Sequence, residues 1–248
     1  MLLPKHFKLI ACEILFREIC YCVSQSRNMI DMQFMSKGLH DLGDCKMVPL
    51  LQAAIDVADD KQYDAILLGY GLCNNGIRSL HAALPLVVPR AHDCITLLLG
   101  SKEQYDRYFD TNPGTFFKSP GWVERDFDPN ASLQSIPSQL GIKHSYPEYE
   151  EKYGSENARY LMESLGDWFK NYRKLAYIDT GFGDFQSYKE LTKQQADNRG
   201  WEYEELSGSV DLLQRLLDGK WDPEDFLVVP PGYSIQALYD RKKIIGYE

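Results

Sequence analysis

The sequence predicts an α/β protein: a parallel, Rossmann-like sheet with helices on both faces, plus a second, smaller α/β lobe. Three observations carry that expectation. Strand-like and helix-like segments alternate from residue 6 to 111. Two apolar runs, in "YDAILLGYG" (63–71) and "LPLVVP" (84–89), are continuous rather than alternating, as in strands covered on both faces. A second alternating series begins at residue 149, after a stretch with neither period.

"HFKLIAC" (6–12) reads as a strand and "EILFREICYCVSQS" (13–26) as a helix with an imperfect apolar face. "IDMQFM" (30–35) alternates as a strand does. "KMVPLLQAAIDVADD" (46–60) has helical spacing, with Pro49 tolerable in its first turn. The buried strand at 63–71 ends in glycines, "NGIRSLHAA" (75–83) is a short helix, and 84–89 is the next buried strand. "DCITLLLGSKEQYDRYFDT" (93–111) is one helix or two, with Gly100 as the break. Residues 112–148 are rich in Pro, Gly, Ser and aromatics, the profile of a functional cover. The second series is a helix at 149–172, a strand at 174–181, a helix at 185–200, a strand at 202–207, a helix at 209–221 and a buried strand at 225–232. The division expected is 1–111, an N-terminal lobe carrying the site; 112–148, the cover; and 149–248, a C-terminal lobe.

The 248 residues suffice for a sizeable core, and 44% hydrophobic with 25% charged is ordinary globular composition. A formal charge of -9 argues against a broad grip on nucleic acid or anionic lipid, but leaves room for a small anion held by local arginine. No apolar run approaches the ~20 residues that span a bilayer. Charges interrupt the apolar N-terminus, so no signal peptide is read and the expected location is cytoplasmic. Six cysteines there point to thiols or metal ligands rather than disulfides.

In open α/β sheets, ligands bind beyond the C-terminal ends of the strands. Here those ends carry Cys12, then His40 and Asp41, then "GYGLCNNG" with Cys73, then "PRAHDC" with Arg90, His92 and Cys94. In a 2-1-3-4 strand order the first, third and fourth strands are neighbours, and Cys12, Cys73 and Cys94 meet at one edge. Three thiolates and a histidine suit zinc; three thiolates with an open iron suit an iron–sulfur cluster. Cysteine also packs as a small buried hydrophobe, so an ordinary core role stands beside the metal one. His92 and His40 are candidates for a fourth ligand or an acid/base. Arg90 is a candidate to orient an anionic substrate, or to pair with Glu18. Gly69, Gly71 and Gly76 come after a buried strand and suit a phosphate cradle, although the spacing is neither GxGxxG nor a Walker loop. Glu18 reads as a solvated helix face, Cys20 and Cys22 as filler, and Asp179 and Thr180 as residues facing the site from across a cleft.

The segments "YDAILLGYGLCNNGI", "PLVVPRAHDCITLLLGSKEQYDRYF", "NPGTFFKSPGWVER" and "KGLHD" together resemble an uncharacterised domain-of-unknown-function family of anaerobic bacteria and methanogenic archaea, often encoded beside corrinoid-dependent methyltransferases. The resemblance spans roughly residues 8–235, through Cys12, Glu18, His40, Cys73, Arg90, His92, Asp93, Cys94, Gly114, Pro120, Gly121 and Trp122. It implies a setting of anaerobic one-carbon or corrinoid metabolism, with a corrinoid protein or methyltransferase as partner. The resulting expectation is a metal-binding protein, as a transferase or lyase, with "GTFFKSPGW" covering the site. Two alternatives stand beside it: a non-enzymatic accessory protein, and a metal-free transferase or hydrolase with Cys94 or Cys73 as nucleophile.

Overall fold

The computed structural model describes residues 3–37, 39, 44–59, 62–126, 155, 171–238 and 240–248. Strand β1 (His6–Cys12) runs into a single 3-10 turn (Glu13–Leu15) and helix α1 (Phe16–Gln25). Next are strand β2 (Met29–Met35) and helix α2 (Asp44–Asp59). Then come β3 (Ala65–Gly69), β4 (Leu86–Pro89), α3 (Cys94–Leu99), α4 (Lys102–Thr111), β5 (Thr115–Lys118) and α5 (Pro120–Asp126). The C-terminal part supplies β6 (Lys174–Asp179), α6 (Gln186–Arg199), β7 (Glu202–Ser207), α7 (Asp211–Asp218), β8 (Phe226–Val229), β9 (Ile235–Ala237) and β10 (Ile245–Tyr247).

The fold is mixed α/β, with a five-stranded, mostly parallel sheet flanked by helices and a smaller second sheet. The order in the main sheet is β2-β1-β3-β4-β8, so the 2-1-3-4 arrangement is present. Its core is where the apolar runs put it: every residue of β3 and β4 is buried. The second sheet is parallel, in the order β5-β6-β7, and β9 pairs with β10 as an antiparallel hairpin.

Several local expectations change. Strand β8 joins β4 antiparallel, through Leu86↔Val229 to Pro89↔Phe226, rather than extending a parallel series. It closes the edge that β4 would otherwise leave unpaired. Residues 73–79 form turns rather than a helix. Their backbone is incompatible with one, because Cys73, Asn74, Asn75 and Ser79 all have positive φ. Helix α2 starts earlier than the apolar period suggests, which places Pro49 beyond the first turn. The cover segment contains a strand and a helix, β5 and α5, up to residue 126. The rest of it, and the helix expected over 149–172 apart from residues 155, 171 and 172, lie outside the described residues.

Strand pairing does not follow chain order. The segment 115–118 joins 174–179 and 202–207 in the second sheet, whereas α7 packs on α1 and β8 returns to the first sheet. The three-part division of the sequence is therefore not a division by sheet. The two sheets meet where α5 crosses the 3-10 turn. A Cβ on Gly121 would lie 1.8 Å from the Ile14 carbonyl oxygen, so only glycine permits this approach. Among the described residues, no helix is long and apolar enough to cross a membrane.

Candidate functional site

The register of the main sheet aligns the strand ends. Ala11 pairs with Gly69, and Leu67 pairs with Val87, so Cys12, Tyr70 and Arg90 each stand one residue past their neighbours' last pairings or close to them. Beyond the strands, the two turns stay bonded to each other. Leu72 N–H donates to the Ala91 carbonyl (2.8 Å) and Cys73 N–H to the His92 carbonyl (2.9 Å). A Cβ on Gly71 would lie 2.6 Å from Asp93 N and 2.9 Å from the Ala91 oxygen, so the close approach requires glycine. Gly69 lies equally close to Ala11, and Gly76 to the Met47 sulfur. Packing thus calls for glycine at 69 and 71, whereas at Gly76 the nearest atoms are the far end of the flexible Met47 side chain.

Cys73, Asn74 and Asn75 form a left-handed turn, with φ of 47°, 54° and 67°. Each such non-glycine residue costs roughly 1–2 kcal/mol, so the surroundings must impose the conformation. The Gly76 N–H bond to the Cys73 carbonyl (3.0 Å) and the bonds to the 91–92 turn do so. The Cys94 side also has a dedicated device. Asp93 caps α3, accepting from the Ile95 and Thr96 N–H groups at 3.0 and 3.2 Å, and its other oxygen accepts from Tyr105 (3.3 Å). Cys94 is then the first residue of the helix.

Cys12 and Cys73 are buried, and the Cys94 residue is half-buried with a strongly desolvated thiol. Burial pushes the Cys73 thiol far up; Asp93 and Cys12 push it further, while the N–H groups of Gly71 and Cys94 pull it back. Burial likewise raises Cys94, aided by Asp93, Cys73 and Cys12. Cys12 and Cys73 are therefore within electrostatic reach of Cys94, and Cys12 within reach of Cys73. Yet among the described residues no group of three or more His, Cys, Asp and Glu side chains is placed as a metal-ligand set. His40 lies outside the described residues.

Among the described residues, two polar atoms next to the sulfurs have no hydrogen-bond partner. The Tyr70 hydroxyl is buried without a hydrogen bond, and burial followed by Cys12, Cys73 and Glu13 raises its pKa. The Trp122 indole N–H faces the Cys94 sulfur and lowers its pKa, but makes no hydrogen bond of normal geometry. His92 is half-buried and stacks on Tyr105 with centroids 5.7 Å apart. Arg90 is occupied elsewhere. Its guanidinium donates to the carbonyls of Pro223 (3.0 Å), Lys243 (2.7 Å) and Ile245, so it holds the C-terminal segment and does not pair with Glu18.

The cover segment brings in residues that strand-end reasoning on the sequence misses. Lys37, just past β2, donates to Asp126 (2.9 Å), and its ammonium lies 5.6 Å from the Trp122 ring centre. Lys118, the last residue of β5, binds the other Asp126 oxygen. Arg125 stands 3.5 Å from Glu13, which also accepts from the Lys37 main-chain N–H (2.9 Å). Burial lowers the Lys118 pKa against the pull of Asp126. Burial alone would raise Asp126, but Lys118 and Lys37 outweigh it and leave it lowered. Both lysines stand at strand C-termini, so the rule that found the cysteines also finds them once 115–118 is recognised as a strand.

Glu18 is fully buried rather than solvated. It accepts a hydrogen bond from Thr180 (3.3 Å), which does reach across from the second sheet. Burial raises its pKa to about 7. Asp179 instead pairs with Lys189 (2.5 Å). A surface depression on α6, lined by Ser187, Glu190, Leu191, Lys193, Gln194 and Asp197, contains none of these groups.

No curated protein and no solved structure matches the chain. A family model does, over residues 34–217, about three quarters of the length and including Cys73, Cys94, Lys118 and Trp122. The chain belongs to that family, described as "Protein of unknown function (DUF1638)".

Proposed function

We propose that the protein binds a thiolate-ligated metal centre, zinc or an iron–sulfur cluster, through Cys12, Cys73 and Cys94, and serves anaerobic one-carbon or corrinoid-linked methyl transfer. The supporting observation is electrostatic: Cys12 and Cys73 both add to the raised pKa of Cys94, and Cys12 adds to that of Cys73, although the three are distant in sequence. The donor set suits such a centre in kind. Its sulfurs face main-chain N–H groups and an indole N–H that lacks a good acceptor, and a thiolate would accept from both. The described ligands would have to draw closer, or be completed by a residue such as His40. Bound there, the metal would supply Lewis acidity or thiol activation.

A metal-free thiol nucleophile is less well supported. Burial raises both Cys73 and Cys94, leaving little thiolate at neutral pH, whereas a metal displaces the thiol proton outright. His92, within electrostatic reach of Asp93, remains the candidate acid/base at the site margin.

The test is metal analysis and a visible spectrum of protein purified without oxygen. Stoichiometric iron with brown colour, or stoichiometric zinc without colour, is expected. Cys12→Ala, Cys73→Ala and Cys94→Ala should each lose the metal, while Cys20→Ala keeps it. Metal-free protein that takes up neither metal on reconstitution would overturn the proposal.

A further inference from the structure

We infer that the lysine side of this site is a carboxylate pocket, in which Lys37 and Lys118 hold the head group of a small monocarboxylate beside the three cysteines. The inference rests on the proposed thiol site for what the ligand is presented to, but the recognition chemistry comes from other residues.

The charges in this cluster do not balance. Lys37 and Lys118 share the single carboxylate of Asp126, one on each oxygen. Arg125 faces Glu13. With both lysines protonated, three cations thus stand against two anions among the described residues, which leaves one positive charge without a paired carboxylate there. The lysines are 5% and 8% exposed, so water cannot compensate that charge. Arg199, on the exposed surface of α6, adds to the positive potential at Lys118. No other acidic side chain among the described residues is paired with either lysine.

Hydrogen bonding specifies the missing partner further. An ammonium has three protons and no acceptor site, and each lysine gives one proton to Asp126. Among the described residues, the Arg125 Nε–H has no hydrogen-bond partner, and neither has the Ser119 hydroxyl, which is wholly buried next to Lys118. Apart from the Ser119 hydroxyl, which can serve either way, the unmet groups are donors. What they lack is an acceptor with negative charge, and the imbalance is one unit. A carboxylate supplies two acceptor oxygens and one charge; inorganic phosphate at neutral pH is a mixture of monoanion and dianion, and the dianion brings more charge than this cluster balances. The cover helix that carries Arg125 also carries Trp122, which faces Cys94. A head group held here would therefore place the remainder of a small molecule on the thiol side.

The test uses the full chain, purified without oxygen and with its metal content measured. Thermal unfolding and calorimetric titration are carried out with sodium acetate, and with inorganic phosphate and chloride at matched ionic strength. Acetate is expected to raise Tm saturably, and chloride is not. Lys118→Met removes the surplus charge and leaves the Lys37–Asp126 and Arg125–Glu13 pairs. It should fold at least as stably as the parent, keep the same metal content, and bind acetate at least about tenfold more weakly. Lys37→Met should weaken acetate similarly. An unchanged metal content separates this result from the thiol proposal, which fails or stands on the cysteine variants alone. Absence of a saturable acetate response, an equal response in Lys118→Met, or tighter binding of phosphate than of acetate would each overturn the inference.

Discussion

Glu18 places a carboxylate with no exposed surface between α1 and the end of β6, and only one of its oxygens has a partner. Its surroundings do not favour charge. Burial acts first, and Glu124 adds a like charge, while Thr180 and Arg17 oppose them. The Tyr177 hydroxyl, also buried and unpartnered, lies close enough for Glu18 to raise its pKa, although burial is the larger cause there. The folded-state pKa of about 7 stands above the ordinary 4.5, so the folded chain holds a proton that the unfolded chain releases. Stability from this group is full below pH 4.5, falls as pH rises from there to about 7, and is flat above. Glu18→Gln keeps the shape and removes the titration. Thermal unfolding should show the variant more stable than the parent at pH 8, by on the order of 3 kcal/mol, with the difference vanishing near pH 4. An equal difference at both pH values would show that Glu18 is not a buried acid. The sequence hides this burial for a physical reason. Helical periodicity reports the face turned to the local sheet, and the face bearing Glu18 is covered by residues about 160 positions later.

At the scale of elements, the candidate site is a product of two turns locked together. The turn after β3 and the turn after β4 share main-chain bonds, Asp93 caps α3, and the left-handed run at Cys73–Asn75 sets the direction of the Cys73 side chain. Gly71 is where they touch, and the nearest atoms its Cβ would meet are all main chain and cannot swing aside. Gly71→Ala should therefore destabilise the fold by about 1–3 kcal/mol in a denaturant titration. It should also reduce metal retention, although no sulfur is altered. Unchanged metal content at normal stability would show that the two turns are positioned independently. This part of the site was legible in advance. Continuous apolar runs mark β3 and β4, the strand order is the common one supposed for such sheets, and reactive residues cluster at the strand ends. The lysines were not legible. "TFFK" is too short and too aromatic to show a strand period, and its partners, β6 and β7, come from far along the chain.

At the scale of the whole molecule, the C-terminal segment ties the two halves of the chain together. After building the second sheet, the chain returns through α7 and closes the first sheet with β8. The turn after β4 anchors this returning segment. Arg90 N–H donates to the Asp225 carbonyl (2.7 Å), and the Arg90 guanidinium binds three carbonyls between residues 223 and 245. Lys102 repeats the device one helix later, on the carbonyls of Glu224 and Lys242. Two cations on main-chain oxygens thus fix a hairpin whose own ladder is only three residues long on each side. Such a hairpin has little stability of its own. The motif that offers Arg90 to a substrate in the sequence gives it to the fold in three dimensions, and a specific experiment separates the two roles. Arg90→Met keeps the aliphatic stem and removes every guanidinium donor. If the arginine holds the C-terminal segment, hydrogen exchange should speed up at residues 235–247. Global stability should fall by about 2 kcal/mol, the size of a single hydrogen bond to a charged group, because water near the surface takes over part of what the guanidinium gives. Metal content and acetate binding should not change. Unchanged exchange together with weakened acetate binding would return Arg90 to the substrate and take the anchoring role away from it.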